Sequence, residues 1–410
     1  MVHVGYVRGM PSRTSSKVLR IAQSAAHIGA ACAIFLASGC GSSGPGAGAG
    51  GADASVRPPR MKELFGGCGE ATDGSFWCFG PPVQEDVALQ GALDVSWNSG
   101  VSIGTPDGFR CAVKPDRSVV CDGSDEGAQL GFDPSSVSTC GCGAFLGSPC
   151  SYPCQNTPRT VPGVSEAVRI SADAGPCVVR TDGSVLCWGG WDSATGRPNA
   201  PRAIPLPDKA TKIGGGSGSC ALLANGTLTC WTLSSRGPID QTTCPSAGCA
   251  LPAVVPGLEM LVDLSISGEH GCALRADGVA FCWGMNLAGE VGDGTSMDRT
   301  VPAQVSGNLR FSQLSTNFGV TCAITQDARV ACWGLAQTPA GVAGATRCDP
   351  SDPTSLMCRP VPTLVPGIQN ARQVSAVSTG APLAYVLLDD GSVIAIGEGA
   401  RGFTLTQVAP

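Results

Sequence analysis

One spacing constrains the fold of this chain more than any other: two cysteines ten positions apart, flanking a short polar turn. "CALRADGVAFCWG" carries it at Cys272 and Cys282. The spacing recurs at Cys68 and Cys78, Cys111 and Cys121, Cys177 and Cys187, Cys220 and Cys230, and Cys322 and Cys332. A seventh copy, "YVLLDDGSVIAIG", keeps the turn but has Tyr385 and Ala395 in the cysteine places. Successive copies start 43 to 66 residues apart, which makes them an internal repeat.

The spacing also sets a register. An x-Asp-Gly turn between short β-branched runs signals a hairpin. If Ala276, Asp277 and Gly278 form a three-residue loop, Arg275 pairs with Val279 and Cys272 falls directly opposite Cys282. A two-residue loop would put the cysteines on opposite faces. Opposed Cβ atoms lie about 4.5–5.5 Å apart, and hairpin twist supplies the closer approach a disulfide needs. Arg117 and Ala328 replace the turn glycine in two copies, which predicts strained or rearranged turns there.

Each hairpin has a strand on either side. "AVRIS" (167–171) and "VDLSIS" (262–267) precede it; "LPAVVPG" (251–257), "VPAQV" (301–305) and "PTLVPG" (362–367) follow after a loop. Four short strands per repeat cannot bury their apolar faces alone, so the repeats must stack. The expected fold is all-β, a seven-bladed β-propeller of four-stranded blades. "FTLTQVAP" (403–410) reads as a C-terminal strand that completes the first blade and closes the ring.

The segment "SGEHGCALRADGVAFCWGMNLAGEVGDG" (267–294), followed by "VPAQVSG", resembles the repeat of the regulator of chromosome condensation family. The matching places hold His270, Ala273, Leu274, Asp277, Gly278, Trp283, Gly284, Asn286, Gly289, Gly292, Pro302 and Val305. The other repeats keep the hairpin but mostly lose the Asn-Gly loop. The resemblance covers about residues 61–410 and implies a seven-bladed propeller. Some members of that family promote nucleotide exchange on a small nuclear GTPase, and secreted propellers of similar repeat inhibit β-lactamases.

The N-terminus reads as an export signal. Arg13, Lys17 and Arg20 precede an apolar run from Ile28 to Ala37. "LASGC" then resembles a bacterial lipoprotein processing site, with Cys40 as the lipidated residue; simple secretion, or initiation at Met10, is the alternative. Residues 1–40 are thus a signal peptide, 41–60 a Gly/Ala/Ser-rich linker and 61–410 the propeller. The expected location is the bacterial cell envelope, lipid-anchored at the outer membrane or periplasmic face.

Of 22 cysteines, Cys32 and Cys40 fall in the leader. The repeats take twelve, and the remainder lie between them: Cys140, Cys142, Cys150 and Cys154, then Cys244 and Cys249, then Cys348 and Cys358. Even, local clusters in an exported chain read as disulfides. The pairing within the cluster of four is open, and zinc is its rival reading, disfavoured by the C-x-C and C-x3-C spacings.

With a net charge of −6 and no basic runs, no nucleic-acid surface is expected. No cofactor, metal or catalytic constellation emerges. His270 occupies a repeat position where a structural role is the plainer reading, and Trp188, Trp231, Trp283 and Trp333 read as inter-blade packing. Naming the strands of a blade a to d, the long c–d loops (124–161, 190–202, 233–252, 286–301 and 336–361) share one rim. Long loops on a rigid scaffold are where binding is commonly placed. The reading is a non-enzymatic, monomeric cell-envelope binding scaffold for a protein or peptide partner, touching membrane only through its lipid anchor. The alternatives are an extracellular polysaccharide- or polymer-acting enzyme using rim carboxylates, and a secreted inhibitor of an enzyme.

Overall fold

The b–c hairpin has the register that the cysteine spacing requires. Cys272 pairs with Cys282, Arg275 N–H donates to Val279 O at 2.9 Å, and Gly278 turns the chain at φ +84°. Six hairpins carry the cross-strand bond, with Cα atoms 3.9–4.1 Å apart. Arg117 and Ala328 keep the left-handed turn at φ +62° and +57°, so those copies accept strain and do not rearrange.

This is a computed structural model. It describes residues 58–79, 83–97, 108–125, 128–132, 136–141, 151–172, 175–189, 200–215, 219–231, 252–268, 270–377 and 382–410. The leader, Cys40, Cys142, Cys150, Cys244 and Cys249 lie outside the described residues, as do most of the 190–202 and 233–252 loops. Seven antiparallel sheets, whose first four strands run outward in chain order, form seven blades. Two sheets add a short fifth strand at the outer edge, Ser138–Gly141 in blade 2 and Thr346–Arg347 in blade 6.

The apolar core lies between the blades. Seven clusters each join one blade to the next. Trp188, Trp231, Trp283 and Trp333 are all buried in these seams. The inner strands are also latched together. In six of them the register slips at the second residue, and such bulges re-aim the side chain that follows. Asp263 thus accepts from Leu314 N–H at 3.0 Å, and Gln313 from Val374 N–H at 2.8 Å. Two residues on, Ser265 and Ser315 accept from Thr316 and Ala376 N–H, each at 2.9 Å.

Ring closure differs from the expectation. The C-terminal strand Gly402–Ala409 pairs with Val393–Gly399 in blade 7 and does not complete blade 1. A two-residue loop, Ala400 and Arg401, folds it straight back onto its neighbour. Blade 1 has its own inner strand, Met61–Phe65, and its own short outer strand, Gln84–Glu85. The ring therefore closes by blade-to-blade contact. Gln373 Oε1 accepts from Leu64 N–H at 2.8 Å, while Gln373 Nε2 donates to Leu64 O at 2.7 Å. Met61 N–H donates to Gly391 O at 2.7 Å.

This seam explains why the seventh hairpin has no cysteines. Tyr385 stands opposite Ala395, whose small side chain leaves room beside it. The tyrosine ring lies 5.1 Å from the Phe79 ring of blade 1, and its hydroxyl donates to Phe79 O at 3.1 Å. A cystine there would reach neither. Tyr385→Phe should therefore lower unfolding stability by about 1 kcal/mol. Tyr385→Ala should cost ~3–5 kcal/mol, as for other buried aromatic truncations. Chemical denaturation of both variants measures the difference.

Candidate functional site

Hydrogen bonds separate the two rims. The first N–H of each of four inner strands donates to the last turn carbonyl of the preceding blade: Ala210 to Gly183, Leu261 to Gly226, Phe311 to Gly278 and Ala371 to Ala328, each at 2.9 Å. The b–c turns and d–a links therefore share one rim. The a–b and c–d loops emerge on the other, the candidate binding rim.

The 286–298 loop on that rim is organised around Asn286, which is fully buried. Its Oδ1 accepts from Val291 N–H at 2.9 Å; its Nδ2 donates to Met297 O at 2.9 Å and Thr295 O at 3.1 Å. Asp298 accepts from Asn286 N–H at 2.9 Å, and Asp293 accepts from Thr295 N–H and pairs with Arg299. The loop then docks onto blade 6. Glu290 O accepts from the Trp333 indole N–H at 2.8 Å and from the Thr321 hydroxyl at 3.0 Å. With its proton so used, Thr321 Oγ1 accepts from His270 Nε2–H at 3.0 Å. Burial pushes the His270 pKa down to about 4, so the imidazole is a neutral strut between blades 5 and 6.

Close approach dictates the glycines of this loop. At Gly292, with φ +74°, a Cβ would lie 2.6 Å from Trp333 Nε1; at Gly289, with φ +82°, it would lie 2.8 Å from Pro360 Cα. Ser296 Oγ donates to Cys348 O at 2.7 Å and joins this loop to the 336–361 loop. The latter is anchored by Arg359, whose Nε donates to Ala343 O at 2.7 Å and whose guanidinium pairs with Glu398 of blade 7, both side chains buried. The same guanidinium lies 4.4 Å over the Phe403 ring.

The cysteines of the long loops divide. Cys140 is bonded to Cys154, tying the outer strands of blade 2 together. Cys348 and Cys358, expected among the disulfides, are free thiols here. Thr346 pairs with Cys358 and Cys348 N–H donates to Leu356 O, so the two cysteines are diagonal, not opposed. Diagonal positions lie about 7–8 Å apart at Cα, wider than directly opposed ones. The neighbouring Cys358 thiol and burial push the Cys348 thiol well above its usual value.

On the outside of these anchored loops, Leu287, Met297, Phe318 and Leu356 are 43%, 61%, 38% and 37% exposed, large apolar side chains gathered on one rim of adjacent blades. Asp349 and Asp352 stand near them in sequence, held below the usual carboxylate range by the hydroxyls of Ser351 and Thr354. Among the described residues no group of three or more His, Cys, Asp or Glu is arranged to hold a metal ion.

Residues 261–290 match the model of the regulator of chromosome condensation (RCC1) repeat. The likeness is to one repeat of that family. The mouse regulator of chromosome condensation is 29% identical over 153 residues, 37% of this chain and 34% of that protein, so the match spans about a third of the relative's length. Among solved structures, yeast RCC1 (Prp20) bound to Kap60 superposes with a TM-score of 0.62 at 15% identity, covering 80% of this chain and 78% of that one. Prp20p from Saccharomyces cerevisiae, described with its binding to Gsp1p and histones, gives 0.61 at 14% identity and 80% coverage of both chains. These likenesses show the propeller fold.

The RCC1 loop also stands in blade 2, where sequence reading missed it. Asp125, Ala128 and Gly131 occupy the places of Asn286, Gly289 and Gly292. Asp125 Oδ1 accepts from Leu130 N–H at 2.8 Å, as Asn286 does from Val291. Gln129 O accepts from the Trp188 indole at 3.0 Å, as Glu290 O does from Trp333. Ala128 even adopts the left-handed φ of +57°. The signal was an Asp-x-x-Ala-x-x-Gly run with the right spacing but only one of its two glycines.

Gln129 also supplies a test of Glu290. Burial pushes the Glu290 carboxyl up to about 8, against about 4.3 for a free glutamate. The folded state holds the proton, so its stabilising contribution is intact below the free value and declines as pH rises toward 8, where the unfolded chain ionises first. Glu290→Gln should thus gain stability over the parent progressively between about pH 4 and pH 8, with no further gain above; urea midpoints across that range measure it. Gly292→Ala should destabilise by ~1–3 kcal/mol more than Gly307→Ala, a positive-φ site with open space around it.

Proposed function

We propose that this chain is a non-enzymatic binding scaffold that presents its long-loop rim to a protein or peptide partner. The observation that carries the reading is the preorganised pair of loops on blades 5 and 6. Buried Asn286 and Arg359 hold their backbones, while Leu287, Met297 and Leu356 point large apolar surface outward. Prepaid loop ordering of this kind favours affinity, and exposed apolar side chains gathered on one rim mark interaction sites. The RCC1-type propellers crystallised with or characterised against Kap60, Gsp1p and histones are compatible with a protein partner.

The setting belongs to the same proposal: export through residues 1–40 and anchoring at the bacterial cell envelope through Cys40. An oxidising compartment suits the seven disulfides among the described residues.

Capture from a cell-envelope extract tests the rim. Bait carrying Leu287→Asp and Met297→Asp should lose a partner that the parent retains. Bait carrying Met260→Asp, equally exposed but on the short-turn rim beside Ala276, should retain it. Equal recovery by all three baits would overturn the assignment of binding to the long-loop rim.

A further inference from the structure

The outer edges of the blades are not alike. Blades 1, 3 and 4 end in strands of two or three residues, Gln84–Glu85, Arg202–Ile204 and Ala253–Val254. Blade 5 ends in Arg299–Gln304, charged at its start and broken by Pro302, which has no N–H to offer. The long outer strands of blades 2 and 6, Ser151–Thr160 and Met357–Leu364, each take a short fifth strand over their first residues, and the remainder carries Pro158 in one and Pro360 and Pro362 in the other. Each of these devices blunts or occupies an edge that would otherwise pair with another chain.

Blade 7 has none of them. Its outer strand, Gly402–Ala409, runs eight residues as "GFTLTQVA", without a charge and without proline. Thr404, Leu405, Thr406 and Gln407 are all exposed, and among the described residues no strand pairs with the outer side. We infer that this edge pairs with the same strand of a second copy, antiparallel about a two-fold axis, to form a dimer through the outer wall of blade 7.

Two observations favour a second copy as the occupant. Blades 2 and 6 show that a long outer strand of this chain takes an antiparallel fifth strand, in one case the Ser/Thr-bearing Ser138–Gly141. The blade 7 strand is itself of that kind, and self-pairing about a two-fold sets no like charges against each other. Thr404 and Thr406 share one face, where threonine pairs across strands are favourable. The two-fold makes the contact closed, so it stops at a dimer. This surface is separate from the long-loop rim, and it replaces the monomer expected from the sequence.

Sedimentation velocity of the purified protein, from micromolar to sub-millimolar concentration, reads the association directly. The parent should move from monomer to dimer, and amide exchange across residues 404–408 should slow over the same range. Thr406→Lys and Thr406→Glu, at an exposed position, should each remain monomeric with unchanged melting midpoints, and an equimolar mixture of the two should recover the dimer. A parent that stays monomeric throughout, or a dimer that survives Thr406→Lys, overturns the inference.

Discussion

In six of the seven blades the cross-strand cysteine pair is the interaction on which the rest of the structure depends. It joins opposed residues of a three-residue-loop hairpin, so it tolerates one register only. The b and c strands are buried on both faces, so that register fixes which side chains enter which of the two flanking seams: Cys272 and Leu274 enter one, Ala273 the other. Trp231, Trp283 and Trp333 directly follow the second cysteine and are buried against the preceding blade. The bond therefore sets the interface as well as the blade. By the loop-closure model a cystine closing so short a loop still stabilises by about 2.7 kcal/mol, and it fixes the register as well.

The ring is held by different chemistry. Side chains on the inner strands reach the next strand's backbone, and Gln373 makes two such bonds to Leu64 where the last blade meets the first. A ring closed without a shared strand concentrates the burden on one seam. Tyr385 in place of a cysteine answers that burden, because its ring and hydroxyl cross to blade 1 where a disulfide would stay within blade 7.

Much of this was legible in the sequence, because a repeated spacing reports a repeated geometry. The hairpins, their loop length, the flanking strands and the blade count all follow from where cysteines and Asp-Gly turns recur. What was not legible is long-range. "FTLTQVAP" looked like a closing strand since nothing local distinguishes pairing with blade 1 from pairing with blade 7; the short return through Ala400 and Arg401 decides it. At the candidate site, Asn286, Gly289 and Gly292 stood out by residue type, whereas Asp125 and Ala128 carry the same loop with residues that do not advertise it. Cys348 and Cys358 looked like a bonded pair by proximity in sequence, yet the strand register sets them diagonally. Arg359 and Glu398 could not be matched at all, because blade-to-blade neighbours are invisible until the ring is assembled.

Peptide mapping of the non-reduced, alkylated protein tests the central claim most directly. The account predicts six linkages closed within their own hairpins, including Cys272 to Cys282 and Cys322 to Cys332, and no linkage between blades. A hairpin cysteine recovered alkylated, or joined to a cysteine of another repeat, would contradict the register from which the blades, the seams and the rim all follow.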